Sequence, residues 1–422
     1  MSIWEHNTLG ELCTLEIGGT PTRNNPLYWD SENAGSNYWV SIADLKTPEI
    51  TETEERITDL GIRHSNAKLF KKGTVLLSFK LTVGRVAIAG RDIYTNEAIA
   101  GLTSEKLDHQ FLYYGLQHWN LLKDVDQAIK GITLNKRKLK KIDAHYPSDK
   151  KEQVKIAEVL ATLDRAISQT EMLISKHQRI KTGLMQDLLT RGIDERGQLR
   201  DPSTHRFKST PLGMIPEEWE VSNIGKISHR VTSGSRWWAR YYSDTGAKFI
   251  RIGNLTREHV NLRLQNIQHV QPPDSSEAKR TVLETGDLLI SVTADLGIIG
   301  IAPNDLGEAY INQHIALVKL DKEKVNPYFI GNLLSGFQAQ KYFSLLNDSG
   351  AKAGLNLKTI SAFPVVFPRD KDEQDRIAEI IQKTDNIIET QKFERKKLLG
   401  VKAGLMQDLL SGRVSVKPLM EG

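Results

Sequence analysis

Among 422 residues there is one cysteine, Cys13. It has no partner for a disulfide and no company for a thiolate metal centre, so a cysteine framework is excluded and a reducing compartment is expected. Cys13 reads as a small buried hydrophobe rather than a reactive thiol. Long apolar runs are missing as well. No stretch approaches the ~18 apolar residues of a membrane helix, and Met1-Ser2-Ile3-Trp4-Glu5-His6 has neither the basic nor the apolar region of a leader. A cytoplasmic chain is expected. Neither sign of charge dominates: 57 Lys plus Arg against 52 Asp plus Glu give +5, which is mildly favourable for a polyanionic partner without requiring one.

Catalytic signatures are equally scarce. There is no G-x-G-x-x-G turn, no Walker-type phosphate loop, and no H-x-x-x-H or H-E-x-x-H spacing among the 11 histidines, so neither nucleotide chemistry nor a zinc site is indicated. Asn25-Pro26-Leu27-Tyr28 and Asn326-Pro327-Tyr328-Phe329 resemble the loop with which adenine methyltransferases hold a flipped base, but both lack its second proline. Asn326-Pro327 reads instead as a helix cap followed by a first-turn proline. Pro273-Asp274-Ser275-Ser276-Glu277-Ala278-Lys279 carries the residue types of a nuclease metal site crowded into one short segment, and reads as a solvated turn.

What the chain does have is itself, twice. Gly183-Leu184-Met185-Gln186-Asp187-Leu188-Leu189 recurs letter for letter at Gly404-Leu405-Met406-Gln407-Asp408-Leu409-Leu410, 221 residues on. At that offset Gln153 meets Gln374, Ile156-Ala157-Glu158 meets Ile377-Ala378-Glu379, and Asp164 meets Asp385; 16 of 40 positions from Lys151 and Asp372 onward are identical. An ungapped match of that length means tandem duplication, and repeats must be found before a fold is assigned. Upstream, residues 73–89 match 286–302 at 213, sharing Ser78/Ser291 and Gly84/Gly297; Trp39 meets Phe249 at 210, Tyr94 meets Tyr310 at 216, and Leu134-Asn135 meets Leu355-Asn356 at 221. Such small drifts are what surface loops tolerate.

Each copy begins as a globular α/β unit. Tyr38-Trp39-Val40-Ser41-Ile42, Val75-Leu76-Leu77-Ser78-Phe79 and Arg85-Val86-Ala87-Ile88-Ala89 read as strands between turn clusters, and a helix is expected from Asp108 through Leu122. A long helix then follows. Ile156, Leu160, Leu163, Ile167 and Ile174 fall on one face, as do Ile377, Ile381, Ile388, Leu398 and Leu405. Thr170, His177, Thr384, Gln391 and Arg395 interrupt the seam, so the two copies are expected to pack on each other with polar positions fixing register. Pro147 and Pro368 are expected to start the helices, with Gly192 and Gly412 as C-caps. Gly183 and Gly404 cost about 1 kcal/mol each relative to Ala inside a helix, which suggests a close helix approach or a shared break. The resulting domains are 1–147, helix 148–190, a polar linker 191–214, a second domain 215–368, helix 369–412 and a tail 413–422.

Three segments could touch nucleic acid. Lys130, Lys136, Arg137, Lys138, Lys140 and Lys141 form an acid-free basic cluster suited to phosphates, or a solvated face. Ser233-Gly234-Ser235-Arg236-Trp237-Trp238-Ala239-Arg240 lies opposite Gly18-Gly19-Thr20-Pro21-Thr22-Arg23-Asn24-Asn25 at an offset of 215; Arg23, Asn24, Arg236 and Arg240 are of the types that pair with base edges, whereas the tryptophans could equally be core. Finally Lys80-Leu81-Thr82 with Arg85, and Thr293-Ala294-Asp295 in the second copy, differ within a frame of shared serine and glycine.

Taken together, two α/β units, a Gln-x-x-Ile-Ala-Glu start and a Gly-Leu-Met-Gln-Asp-Leu-Leu end to each helix, and Ile215-Pro216-Glu217-Glu218-Trp219 ahead of the second unit resemble the specificity subunit of type I DNA restriction-modification systems. The resemblance implies a mixed α/β fold: two target recognition domains in tandem, each followed by a long helix, the helices packing antiparallel as a coiled-coil-like spacer. It further implies that each domain reads half of a bipartite, asymmetric site in double-stranded DNA. The helices, with Ile156, Leu160, Leu163, Ile167, Leu184, Ile377, Ile381, Ile388, Leu405 and Leu409, would separate the readers and bind two methyltransferase subunits, which restriction (translocase) subunits then join. The subunit is non-catalytic on this reading, with no cofactor of its own; S-adenosylmethionine, ATP and Mg belong to its partners. The rival readings are a helical scaffold whose globular units bind protein, and a self-contained methyltransferase.

Overall fold

The computed structural model describes residues 3–35, 37–121, 134–234, 236–293, 295–348 and 355–421. Two compact units divide the chain. One comprises Met1–Glu171 with Phe393–Gly422, the other Met172–Lys392, so each takes one globular domain and half of each long helix.

In the first unit, Val75–Ser78 is buried at every residue and takes a central place in a five-stranded sheet ordered Thr14–Ile17, Ile99–Thr103, Val75–Ser78, Val86–Ala89, Glu49–Ile50. A continuous apolar run suits a strand covered on both faces. A second sheet is ordered Glu55–Arg56, Tyr38–Val40, Ile93–Thr95, Leu69–Phe70, with Trp39 opposite Tyr94 in a parallel pair. Trp4–Thr8 pairs antiparallel with Asp143–Pro147. The helix expected over 108–122 is shorter, His109–His118, capped by Asp108 Oδ1 at 2.9 and 3.0 Å from the amides of Gln110 and Phe111. Trp119 turns extended (ψ 145°) and ends it.

The second unit repeats the plan. Its main sheet runs Ser228–Ser233, Ile315–Leu320, Leu288–Ser291, Ile299–Ile301, and its other sheet again contains a parallel pair, Ala247–Ile250 with Ala309–Ile311, in which Phe249 faces Tyr310. The positions aligned by sequence, Trp39/Phe249 and Tyr94/Tyr310, are therefore cross-strand partners in both copies. Asn326 caps the helix Pro327–Ser335 through Tyr328 and Phe329, as its Asn-Pro pair predicts, and Asn25 likewise caps Pro26–Tyr28.

The long helices span Lys150–Leu188 and Lys371–Leu410. Pro147 and Pro368 do not start them: Pro147 ends a strand, and Pro368 follows the strand Pro364–Phe367. Their carbonyls are instead bound by the glutamines of the repeated motif. Gln153, wholly buried, donates from Nε2 to Pro147 O (2.9 Å) and Lys106 O (3.2 Å), while its Oε1 accepts from the Asp108 amide (2.7 Å). Gln374, also wholly buried, does the same with Pro368 O (2.8 Å), Lys324 O (3.3 Å) and the Asn326 amide (2.8 Å). Each glutamine thus joins a strand end, a capped helix and the long helix.

The expected seam is buried at Ile156, Leu160, Ile167, Ile174, Ile377, Ile381 and Ile388 and half-buried at Leu163, Leu398 and Leu405, and it divides. Ile156, Ala157 and Leu160 enter the core of the first globular domain, and Ile377, Ala378 and Ile381 that of the second. Further along, the helix halves meet each other within each unit. Lys402 Nζ lies 2.5 Å from Asp164 Oδ1 in one, and Lys181 Nζ 2.5 Å from Asp385 Oδ1 in the other, the same pair with the helices exchanged. Two seam interruptions, His177 and Gln391, are bonded to each other at 3.0 Å, and a third, Arg395, pairs with Glu171 at 2.6 Å. Both sets run antiparallel. Shifting either helix would strand a half-buried charge, and losing one partner of a buried pair typically costs about 3–5 kcal/mol, so these contacts hold the register.

At the far ends, Leu188 and Leu189 enter the second core and Leu409 and Leu410 the first. Gly192 and Gly412 follow with left-handed φ of 63° and 74°, where a Cβ would lie 2.6 Å from the Trp219 ring and 2.7 Å from that of Trp4. Gly183 and Gly404 behave otherwise than expected: the helices run through them unbroken and nothing lies within 4 Å of a Cβ at either. Nothing within either unit explains them. The segment 191–214, expected as a polar linker, is anchored. Ile193 and Leu212 are buried, and Arg200 forms a bidentate pair with Glu373 at 2.6 and 2.8 Å, with Glu218 at 2.6 Å on its Nε. Among the described residues no helix is long and apolar enough to cross a membrane.

Replacing Gln374 by Ala should lower the stability of the second unit by about 2–4 kcal/mol, since each buried backbone group left unpaired costs about 1–3 kcal/mol. Gln374→Glu should cost more, because it sets a buried carboxylate oxygen against the carbonyls of Pro368 and Lys324. Denaturant unfolding followed by tryptophan emission checks this; unchanged midpoints would remove the clamp from the account.

Candidate nucleic-acid interface

The serine and glycine shared by the two copies build one loop twice. Ser78 Oγ donates to Thr82 O and accepts from the Arg85 amide (2.9 Å), while Gly84, at φ 94°, donates to Ser78 O (2.9 Å). Ser291 Oγ likewise donates to Asp295 O and accepts from the Ile298 amide (2.8 Å), with Gly297 at φ 75° donating to Ser291 O (3.0 Å). Only glycine adopts such angles without strain. Between these fixed points the tips are free to differ. Leu81 stands out at φ 63° and 81% exposed, next to exposed Thr82 and half-buried Lys80. Arg85 is exposed but donates to Ile42 O at 3.2 Å. In the second copy Thr293 is bonded to His314 Nδ1 (2.7 Å), and Asp295 is paired with Arg257. Ala294 lies outside the described residues.

The second pair of segments leaves the sheet at a glycine. Ile17 faces Ala100 and Ser233 faces Ala316, so Gly18 corresponds to Gly234 at an offset of 216, not the 215 expected from sequence. A Cβ on Gly18 would sit 2.0 Å from Thr95 Oγ1, and one on Gly234 1.9 Å from Asn312 O. Beyond Gly18, Thr20 hydrogen-bonds Glu97, and that bond holds the Glu97 carboxyl below the usual range, helped by the charges of Lys80 and Arg23. The loop beyond Gly18 is thus tied to Glu97, whose carboxyl also feels the charge of Lys80 in the serine-framed loop. Arg23 is less available than expected. Its guanidinium forms a two-point pair with Glu55 and lies 3.8 Å over Trp29 and 4.8 Å over Trp39. Asn24 beside it is exposed.

Beyond Gly234 the tandem tryptophans part company. Trp238 is 2% exposed, stacked on Phe249 at 5.7 Å and close to Tyr310 and Tyr241, with its indole N–H on Glu277 Oε2 (3.2 Å). Trp237 takes left-handed backbone (φ 62°) and is 82% exposed, between exposed Arg236 and Arg240. One ring is core; the other forms a basic, aromatic tip of the kind that stacks on bases or rides a phosphate backbone. Glu277 itself sits in a short helix, Ser276–Thr281, capped by Ser275, rather than in the solvated turn expected there.

The basic cluster lies on the helix Lys136–Lys140, capped by Asn135 and anchored by buried Leu139. Lys136, Arg137, Lys140 and Lys141 are exposed and Lys138 half-buried; Lys130 lies outside the described residues. The corresponding helix, Leu357–Ala362, is capped by Asn356 and offers one cation, Lys358.

Two other clusters leave no signal in the sequence because their members are far apart in the chain. Glu258, His259 and Glu389 bring possible metal ligands within 4.8 Å of one another. Lys392 Nζ already lies 2.8 Å from both carboxylates, supplying the positive charge. The other is a cleft around Arg251 and His314, lined by basic and amide side chains. Cys13 is buried, and burial pushes its thiol up to about 12, leaving it unreactive as expected.

A family model described as the type I restriction modification DNA specificity domain matches residues 1–176 and 216–399. The MjaX type I restriction enzyme specificity subunit of Methanocaldococcus jannaschii is 25% identical over 386 residues, covering 89% of this chain and 83% of its own length. The MjaVIII specificity subunit of the same organism is 24% identical over 318 residues, covering 74% and 72%. In structure, the S subunit of a type I restriction-modification system from M. genitalium is similar with a TM-score of 0.62 at 16% identity, over 97% of this chain and 96% of that one.

Changing Trp237 and Trp238 separately should split their roles. Trp238→Ala is expected to cost about 3–5 kcal/mol of stability, as large-to-small changes in a core do. Trp237→Ala should leave the thermal midpoint unchanged and weaken DNA binding about tenfold or more, within the ~1–3 kcal/mol of an aromatic–base contact. Melting curves and duplex binding check this, and equal destabilisation by both changes would contradict it.

Proposed function

Because the chain belongs to the type I restriction modification DNA specificity family, we propose that its two globular domains each read one half of a bipartite, asymmetric DNA site, and that the long helices set the distance between the halves. The observation that carries this reading is the frame shared by the domains. Ser78/Ser291, Gly84/Gly297 and Gly18/Gly234 make the same backbone bonds in both copies. The residues between them differ in charge, size and hydrogen-bonding type. A constant scaffold with exchanged loop tips suits two readers of different sequences, since base edges are distinguished by side-chain donors and acceptors.

The chain recognises, and partners act. Two methyltransferase subunits dock on the helices and carry S-adenosylmethionine, and restriction subunits with ATP and Mg complete the complex on double-stranded DNA in the cytoplasm. The basic helix Lys136–Lys140 supplies phosphate affinity, which carries no sequence information but makes binding depend on salt.

The helices can be tested as a ruler without disturbing either unit. Four residues inserted after Glu171 and four after Lys392 leave every ion pair inside its own unit and lengthen each helix by about 6 Å. Mapping methylated adenines in a host expressing the whole complex should then show both half-sites unchanged and their separation increased by about one or two base pairs, at ~3.4 Å per pair. An unchanged separation would show that the helices do not set it.

A further inference from the structure

In the second unit a cleft of about 600 Å³ opens beside Thr293. It is lined by Arg251, Arg263, Gln265, Asn266, Asn312 and His314, with no carboxylate among its lining residues. Two backbone segments are set against each other there by Asn254, whose Oδ1 accepts from the Arg251 amide (2.9 Å) and whose Nδ2 donates to Arg263 O (2.8 Å). Asn254 is buried and fully engaged, while Gln265 and Asn266 are exposed with amides free to turn to a ligand. His314 closes one wall, held by Thr293 at Nδ1.

The first domain has the same turn with different chemistry. Ser41 stands where Arg251 does and Asp44 where Asn254 does, with the Ser41 amide on Asp44 Oδ2 at 2.8 Å. There Arg85 reaches across and donates to Ile42 O at 3.2 Å. In the second domain the position of Arg85 in the serine-framed loop is taken by Ile298, which is buried and has no such reach. The turn thus carries Arg251 and opens on the cleft in one copy, where Arg263 is paired with Glu258 at 3.3 Å, and carries Asp44 with Arg85 bound across it in the other.

Resting on the bipartite reading above, we propose that this cleft is a base-reading site of the second domain, with Arg251 and the amides of Gln265 and Asn266 meeting purine edges in the major groove. Phosphates accept hydrogen bonds only, so a phosphate seat would be lined by cations and N–H groups. Amide side chains offer a donor and an acceptor side by side, which matches adenine N6 and N7, as an arginine fork matches guanine O6 and N7.

The test uses the whole complex, with methylated sites mapped across a genome for Arg251→Ala and for Gln265→Ala with Asn266→Ala. Discrimination at one or two base pairs of a single half-site should fall at least tenfold, with the other half and the spacing retained. Unaltered specificity would overturn the proposal, as would a uniform loss of methylation with the same sequence preference, which marks a phosphate contact. Relaxation of both halves together would instead overturn the modular reading beneath it. Should Arg251→Ala fail to assemble, Arg251→Lys keeps the charge but loses the fork; relaxed specificity in that variant supports base reading, and unchanged specificity contradicts it.

Discussion

A buried glutamine amide holds each half of this protein in place. Gln153 and Gln374 bind the last carbonyl of a strand region, a second loop carbonyl and the first amide of a capped helix, with no exposure to water. Only a primary amide can donate twice and accept once in that geometry, so the residue type follows from the three groups it satisfies. The direction in which each long helix leaves its globular domain is set here. Ile156 and Leu160, or Ile377 and Ile381, then seal the joint in the adjacent core.

From these joints the rest of the frame follows. Lys181–Asp385 and Asp164–Lys402 are one ion pair made twice, and the terminal leucines of the repeated heptapeptide enter the two cores beside Trp219 and Trp4. With the scaffold held by buried amides, charges and leucines, the loop tips contribute little to stability. They are therefore free to change without unfolding the domains, which is what a family of readers requires.

Much of this was legible in the sequence because duplication makes framework visible. Ser78 and Ser291, the Asn-Pro cap at Asn326 and the capping asparagines Asn135 and Asn356 all act as their residue types predict. Expectation and structure differ where a residue's partner is distant in the chain. The segment 191–214 looks like a polar linker until Arg200 meets Glu373, and Arg23 looks available until Glu55 and Trp29 claim it. Pro147 and Pro368 resemble helix starts because proline favours both a first turn and a strand end. Periodicity alone also merged two kinds of burial, since one apolar face serves a globular core at its start and another helix further on. The tandem Trp237-Trp238 could not be resolved by composition; a left-handed φ at the first turns one ring out and the other in.

On the proposed reading, one frame used twice carries two independent readers. That reading is met most directly by a chain in which residues 4–147 replace residues 219–368, joining at the matched Trp4/Trp219 and Pro147/Pro368 positions. Methylation mapped with its partner subunits should fall on a target containing the first half-site twice and the second not at all. Persistence of the second half-site would contradict the account, because the sequence read would then reside outside the loops of the domain that was removed.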